Sequence, residues 1–122
     1  MAGKSQIVEV TISQLDWYII NQVKKLRKKK GLSQTDLSIE MGFSEKLIGG
    51  VENPTLNTRF NIRHLNLLAK AMKCTLWELL PEKPLENDLL KIRIKRVPIL
   101  SKTGKQTKKT TFEIVDIKPV KR

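Results

Sequence analysis

The chain has 122 residues, enough for one small core but not for two independent ones. It carries 24 Lys and Arg against 12 Asp and Glu, a net charge of +12, so long-range attraction makes polyanions the leading class of partner. Its apolar runs, such as Trp17 to Ile20, fall far short of the roughly 20 residues a membrane helix needs, and one cysteine, Cys74, with one histidine, His64, leaves no internal disulfide or multi-cysteine zinc site. No membrane partner, metal or cofactor is expected.

The charge is unevenly placed: +5 over residues 1–30, −1 over 31–86 and +8 over 87–122. In chain order, Glu9 interrupts Ile7-Val-Glu-Val-Thr-Ile12 and breaks any apolar core of a secretory signal, so a cytoplasmic location is expected. The same stretch is β-branched and loosely alternating, which makes residues 1–12 an N-terminal arm or strand. Ser13-Gln-Leu-Asp16 resembles a capping box, and Leu15, Ile19, Val23 and Leu26 follow at helical spacing, so the first helix is predicted over Gln14 to Lys30 with Gly31 ending it. Lys28, Lys29 and Lys30 fit either a solvated helix end favoured by the dipole or a contact with a polyanion.

Ser33-Gln-Thr-Asp36 opens a short second helix to Met41, and Gly42 punctuates it. Ser44 can cap a third helix through Val51, which Asn53-Pro54 stops. Leu65, Leu68, Ala69 and Met72 mark a fourth helix, and Thr75-Leu-Trp-Glu78 is a full capping box for a fifth of one or two turns that ends at Pro81. These helices make residues 13–81 one unit. Residues 82–122 change texture: Leu90 to Lys95 and Thr111 to Ile117 are β-like, with a long basic loop, Ser101 to Thr110, between them. Two strands alone are marginal in water, so this hairpin is expected to pack on Ile7–Ile12, on the helical unit or on a second subunit.

The second and third helices carry a helix-turn-helix pattern. Ser38 is small where two helices cross, Gly42 is permissive at the turn, and Leu37, Met41, Phe43, Ile48 and Val51 face the core. The stretch from Leu26-Arg-Lys-Lys-Lys-Gly-Leu-Ser-Gln to Val51-Glu52, continued by Leu68-Ala-Lys-Ala-Met-Lys-Cys-Thr-Leu-Trp-Glu-Leu-Leu80, resembles the lambda Cro and repressor-like family, the xenobiotic-response-element regulators. The resemblance covers about residues 15–80 and neither end. It implies a mainly α fold, a five-helix lambda-repressor-like domain with a C-terminal β-hairpin extension, whose third helix enters the DNA major groove. By position it implies phosphate contacts from Gln34, Ser44, Asn53, Asn57, Thr58 and Arg59, with Lys24 as a further one, and base-edge contacts from Glu45, Lys46, Gly49 and Gly50. It also implies that Arg27 and Glu52 form a structural pair.

Two residue choices depart from the family pattern. Glu45 places a negative charge where the family often has Gln, Arg or Ser. Gly49-Gly50 lowers the intrinsic stability of the third helix by roughly 2 kcal/mol relative to two alanines, and either admits backbone and water to the groove or lets the helix fray. Cys74, where the family has a buried aliphatic, reads as an inert core thiol. His64 reads as a helix-surface residue, and Trp17, Trp77 and Phe43 as core or interface. Ser101-Lys-Thr-Gly-Lys-Gln lacks the residues of a phosphate-binding P-loop, and no paired acid and base or nucleophile is present, so no enzymatic activity is expected. The reading is a sequence-specific DNA-binding transcriptional regulator of bacterial or phage type. It would bind double-stranded DNA as a homodimer, the basic tail adding non-specific affinity. The alternative is an antitoxin-like or adaptor module whose Leu89–Arg122 tail binds a partner protein, and RNA binding through the hairpin ranks third.

Overall fold

The computed structural model describes residues 6–104 and 106–121 and begins with a strand, β1 (Gln6–Ser13), that runs without a linker into α1 (Gln14–Lys29). Ser13 serves both elements. Its Oγ accepts from the Asp16 amide at 2.9 Å and donates to the Asp16 carboxylate at 2.7 Å, which stops the extended backbone and starts the helix. Reciprocal capping boxes, Ser33 with Asp36 and Asn61 with His64, open α2 (Gln34–Glu40) and α4 (Ile62–Met72). Between α2 and α3 (Leu47–Glu52), Gly42 has φ +83°, a left-handed conformation that a Cβ disfavours, so glycine is needed where the chain turns.

The chain returns from the helices through β2 (Leu89–Leu100) and β3 (Gln106–Pro119), an antiparallel hairpin. β1 pairs antiparallel with the other side of β2, from Gln6–Arg96 to Ser13–Leu89, so the sheet order is β1-β2-β3. The amide of Gln14 donates to the Asp88 carbonyl and the Asn87 amide to Gln14 Oε1, both at 2.8 Å, tying the returning chain to the start of α1. Pro98, which has no amide to donate, lies beyond Gln6–Arg96, the last described β1 pair. On β3, Asp116 pairs with Arg93 and Ile114 with Ile94, so Val115 is the extra residue of a bulge.

Two cores result. Val23, Leu37, Ile48, Leu68, Met72 and Leu79 fill the space between the helices. Ile12, Leu90, Ile92 and Ile94 of the sheet's inner face cover Ile20 of α1 and Val51 of α3, with Phe60 and Phe112 packed against them. Successive residues of α1, Ile19 and Ile20, enter different cores, as do Ile48 and Val51 of α3, so both helices lie between the helical core and the sheet.

Several expectations are corrected. The described residues contain four α-helices, because the expected fifth is a 3-10 turn, Leu76–Leu79. Glu78 accepts from the Thr75 amide at 2.7 Å and starts it, but Pro81 follows too soon for α-helical bonding to develop. α3 starts at Leu47 rather than after Ser44, whose Oγ accepts from the amide only two residues on, Lys46, at 3.3 Å and closes a turn. Leu15 is 48% exposed and Trp77 82% exposed, so neither belongs to the core. The expected basic loop is shortened, because β2 runs to Leu100 and β3 begins at Gln106.

His64 is buried, not on the surface. Its Nδ1 accepts from the Asn61 amide at 3.1 Å while its own amide donates to Asn61 Oδ1 at 2.8 Å, and the ring meets Phe43 and Phe60 edge to face. Burial, reinforced by the charge of Arg63, holds the imidazole below the ordinary histidine value. The unfolded chain therefore binds a proton more readily, and stability is full above about pH 6.5 and declines as pH falls from there toward the depressed folded value. Urea midpoints between pH 7 and pH 5 should fall for the parent and fall less for His64→Gln, which keeps an acceptor at the same capping position. Equal slopes would contradict this role.

Candidate nucleic-acid interface

α3 is six residues long, contains Gly49-Gly50, and has no capping side chain at its own N-terminal residue, Lys46. Its order comes from its neighbours. Ser38 of α2, wholly buried, accepts from the Ile48 amide at 3.0 Å and donates to the Gln34 carbonyl at 2.8 Å, so its hydroxyl satisfies an amide in the first turn of α3. At the other end Glu52 accepts from Arg27 Nε at 2.8 Å and Nη2 at 2.9 Å, while Arg27 Nη1 donates to the Leu32 carbonyl at 2.8 Å. The Arg27 and Glu52 side chains are 8% and 3% exposed. Gln34 Nε2 completes the set by donating to Glu52 Oε1 at 3.0 Å. One carboxylate thus joins the last turn of α3 to α1 and to the first residue of α2.

Lys24, Lys28, Gln34, Gly49, Glu52 and Asn53 line one open cleft, which Phe112 of β3 borders. Gln34 lies over Gly49, where an added Cβ would stand 3.2 Å from its Oε1. Gly50 faces Thr58, whose Oγ1 would lie 3.7 Å from an added Cβ. Ser44, Glu45 and Lys46 are exposed on the turn leading into α3, and Asn57 is exposed on the loop after it; none of these four lines the cleft. In that loop Asn53 Oδ1 accepts from the Thr55 amide at 3.0 Å and the Thr55 hydroxyl at 2.7 Å. Arg59 Nη1 donates to the Leu56 carbonyl at 2.8 Å and the Thr58 carbonyl at 3.0 Å, so both side chains brace the loop's own backbone.

The sequence reading missed Ser38 as a cap and Phe112 as a wall of the cleft. Smallness at a helix crossing was the only visible sign of Ser38, and the place of Phe112 depends on the register of β3. Near the start of α2, the amide and then the hydroxyl of Ser33 hold the Asp36 carboxyl below the ordinary carboxylate range. Burial, with Glu78 adding to it against Lys30, pushes the Cys74 thiol up, away from nucleophilic use. Among the described residues no group of three or more His, Cys, Asp and Glu could hold a metal ion.

Removing one member of the buried pair strands the other. Glu52→Ala should cost about 3 kcal/mol of unfolding free energy. Ser38→Ala, which leaves the Ile48 amide unsatisfied, should cost about 1 to 2 kcal/mol. Thermal and urea denaturation measure both, and an unchanged melting temperature for either variant would contradict the assignment.

Residues 22–81 match the family model of the Cro/C1-type HTH DNA-binding domain. Among solved structures, the chain is similar to the restriction-modification controller protein C.AhdI from Aeromonas hydrophila, with 30% identity over 52% of this chain and 92% of that one and a TM-score of 0.45. It is also similar to a hypothetical transcription factor, NHTF, from Neisseria, with 22% identity over 56% of this chain and 76% of that one and a TM-score of 0.49. A third likeness, to hydroxypropylphosphonic acid epoxidase from S. wedmorenis, has 12% identity over 75% and 64% of the two chains and a TM-score of 0.49. Comparison with curated proteins yields no match.

Proposed function

The chain belongs to the Cro/C1-type helix-turn-helix family of DNA-binding transcriptional regulators, and we propose that it occupies a specific operator by placing residues 44–52 in the major groove. The observation that supports this reading best is the cleft itself. It gathers Lys24, Lys28, Gln34 and Asn53 around Gly49 of α3, so cationic and amide groups lie beside a position of that helix that carries no side chain. Lys46 and Glu45 address base edges at the entry to α3, while Gly49 and Gly50 admit the groove wall or its water. Lys24, Gln34, Ser44, Asn53, Asn57 and Thr58 contact phosphates, and Arg59 keeps their loop in shape. The protein acts by equilibrium occupancy, without a chemical step.

A homodimer would present two such helices to half-sites about one helical turn apart. Trp77, 82% exposed, and Leu76, 43% exposed, offer apolar surface for it. A second reading, a partner protein adding a strand, is favoured by β3: it forms one edge of the sheet, and its Ile114, Val115 and Ile117 are 42–45% exposed.

With an operator selected from random duplexes, Lys46→Ala should relax sequence choice at the bases it faces, by about 1 to 3 kcal/mol of discrimination. Arg59→Ala should weaken all duplexes alike. Gly50→Ala should stabilise the fold by about 1 kcal/mol, because the added Cβ has room beside Thr58, and on the proposed docking of α3 it should weaken operator binding. Anisotropy titrations and melting curves check all three. Parent-like binding by Lys46→Ala and Gly50→Ala together would remove α3 from the groove.

A further inference from the structure

We propose that the distal half of the β2–β3 hairpin is a second DNA-contacting element, an arm that follows the phosphates flanking the stretch read by α3. This rests on the DNA-binding reading above and adds to it a position and an extent.

The inner face of β2 changes character along its length. Leu90, Ile92 and Ile94 are buried against α1 and α3, and the next residue on that face is Arg96, half-buried, followed by Pro98. The apolar run ends where the helical body ends, although the strand continues to Leu100 and remains paired with β3 as far as Gln106. The pairing with β1 and the packing of Phe112 reach Arg96, and at roughly 3.3 Å per residue the four steps from Arg96 to Leu100 carry the hairpin about 13 Å beyond them. Phe112, directly opposite Arg96 and on the same face, borders the cleft that holds Lys24, Lys28, Gln34, Gly49 and Asn53. The hairpin therefore leaves the body at the edge of the DNA-facing cleft, on the side of the α1 lysines.

Charge points to the same partner. Between residues 96 and 112 the sequence has five Lys and Arg and no Asp or Glu, whereas residues 31–86, which contain α2, α3 and α4, sum to −1. Apart from the lysines of α1, the recognition unit gains little attraction from its own charge for a polyanion such as DNA. An acid-free arm beside it supplies that attraction without adding any base contact. Lys91 and Arg93 are met by Glu9 and Asp116 within the sheet, whereas Arg96, opposite Phe112, and exposed Lys102 lie beyond those pairs.

The test compares the full chain with the double variant Arg96→Gln, Lys102→Gln on the selected operator. The control is Lys118→Gln, Lys121→Gln, which removes equal charge at the opposite end of the sheet; melting curves verify that all three chains are folded. The arm variant should lower the slope of log K against log salt by about 2 for each chain bound, because each phosphate that a cation neutralises adds about 0.9 to it. It should also lose hydroxyl-radical protection on the flank of each half-site while keeping protection at the bases facing α3. The control variant should leave both unchanged. Operator binding by the arm variant with the parent's salt slope and protected stretch overturns the arm alone, as does an equal loss of slope in the control, which would reduce the effect to net charge. Failure of the parent to retain any duplex overturns the DNA-binding reading and the arm with it.

Discussion

A six-residue helix with two adjacent glycines and no cap of its own cannot hold its shape alone, so α3 must be held by the residues around it. Ser38 supplies the missing bond at its start, and Glu52, gripped by Arg27 and Gln34, fixes its end. Ile48 anchors it in the helical core and Val51 under the sheet. With order supplied from outside, α3 can carry Gly49 and Gly50, which would weaken an unsupported helix by roughly 2 kcal/mol relative to two alanines. The buried pair has a cost as well as a use, since an apolar replacement can be as stable. Its value here is positional, because the same carboxylate sets the distance between α3, α1 and the first residue of α2.

The sheet is the larger departure from a bare helix-turn-helix domain. Both flanks of the chain build it: β1 precedes the helices and the hairpin follows them, and β2 joins the two. Ile92 and Ile94, fully buried, cover Ile20 and Val51, so the strands give α1 and α3 a second packed face. This arrangement separates two tasks. Residues 31–86, with α2, α3 and α4, carry shape and almost no net charge, and the excess lies on α1 and on the stretch from residue 87 onward. On the proposed reading, α3 discriminates among duplexes while the cations of α1 and of the hairpin add attraction to any polyanion.

Much of this was legible in the sequence where local rules decide. Ser13, Ser33 and Thr75 announce their helix or turn starts because a capping side chain acts within three residues. Gly42 marks the turn because its left-handed backbone is a local constraint. Legibility failed where the deciding contact is distant. His64 resembles a surface residue on periodicity, yet Phe43 from the preceding turn and Phe60 enclose it. Leu15 shares the spacing of Ile19 and Val23, but the sheet meets α1 at Ile20 instead. The expected fifth helix yields to Pro81, which ends the segment before α-helical bonding can form. The strand segments were visible as β-branched runs; their pairing, the bulge at Val115 and the placing of Phe112 follow from register, which no single segment encodes.

The central claim is that the face of α3 and the cleft beside it meet DNA. Its most direct test is an NMR titration of the isotopically labelled full chain with the selected operator duplex, followed through the backbone amides. The account predicts the largest shifts at Gln34, at residues 44–52 and in the loop from Asn53 to Arg59, with the amides of Leu68 to Met72 little changed. Shifts confined to the outer face of the sheet, with those of α3 unmoved at saturation, would contradict it.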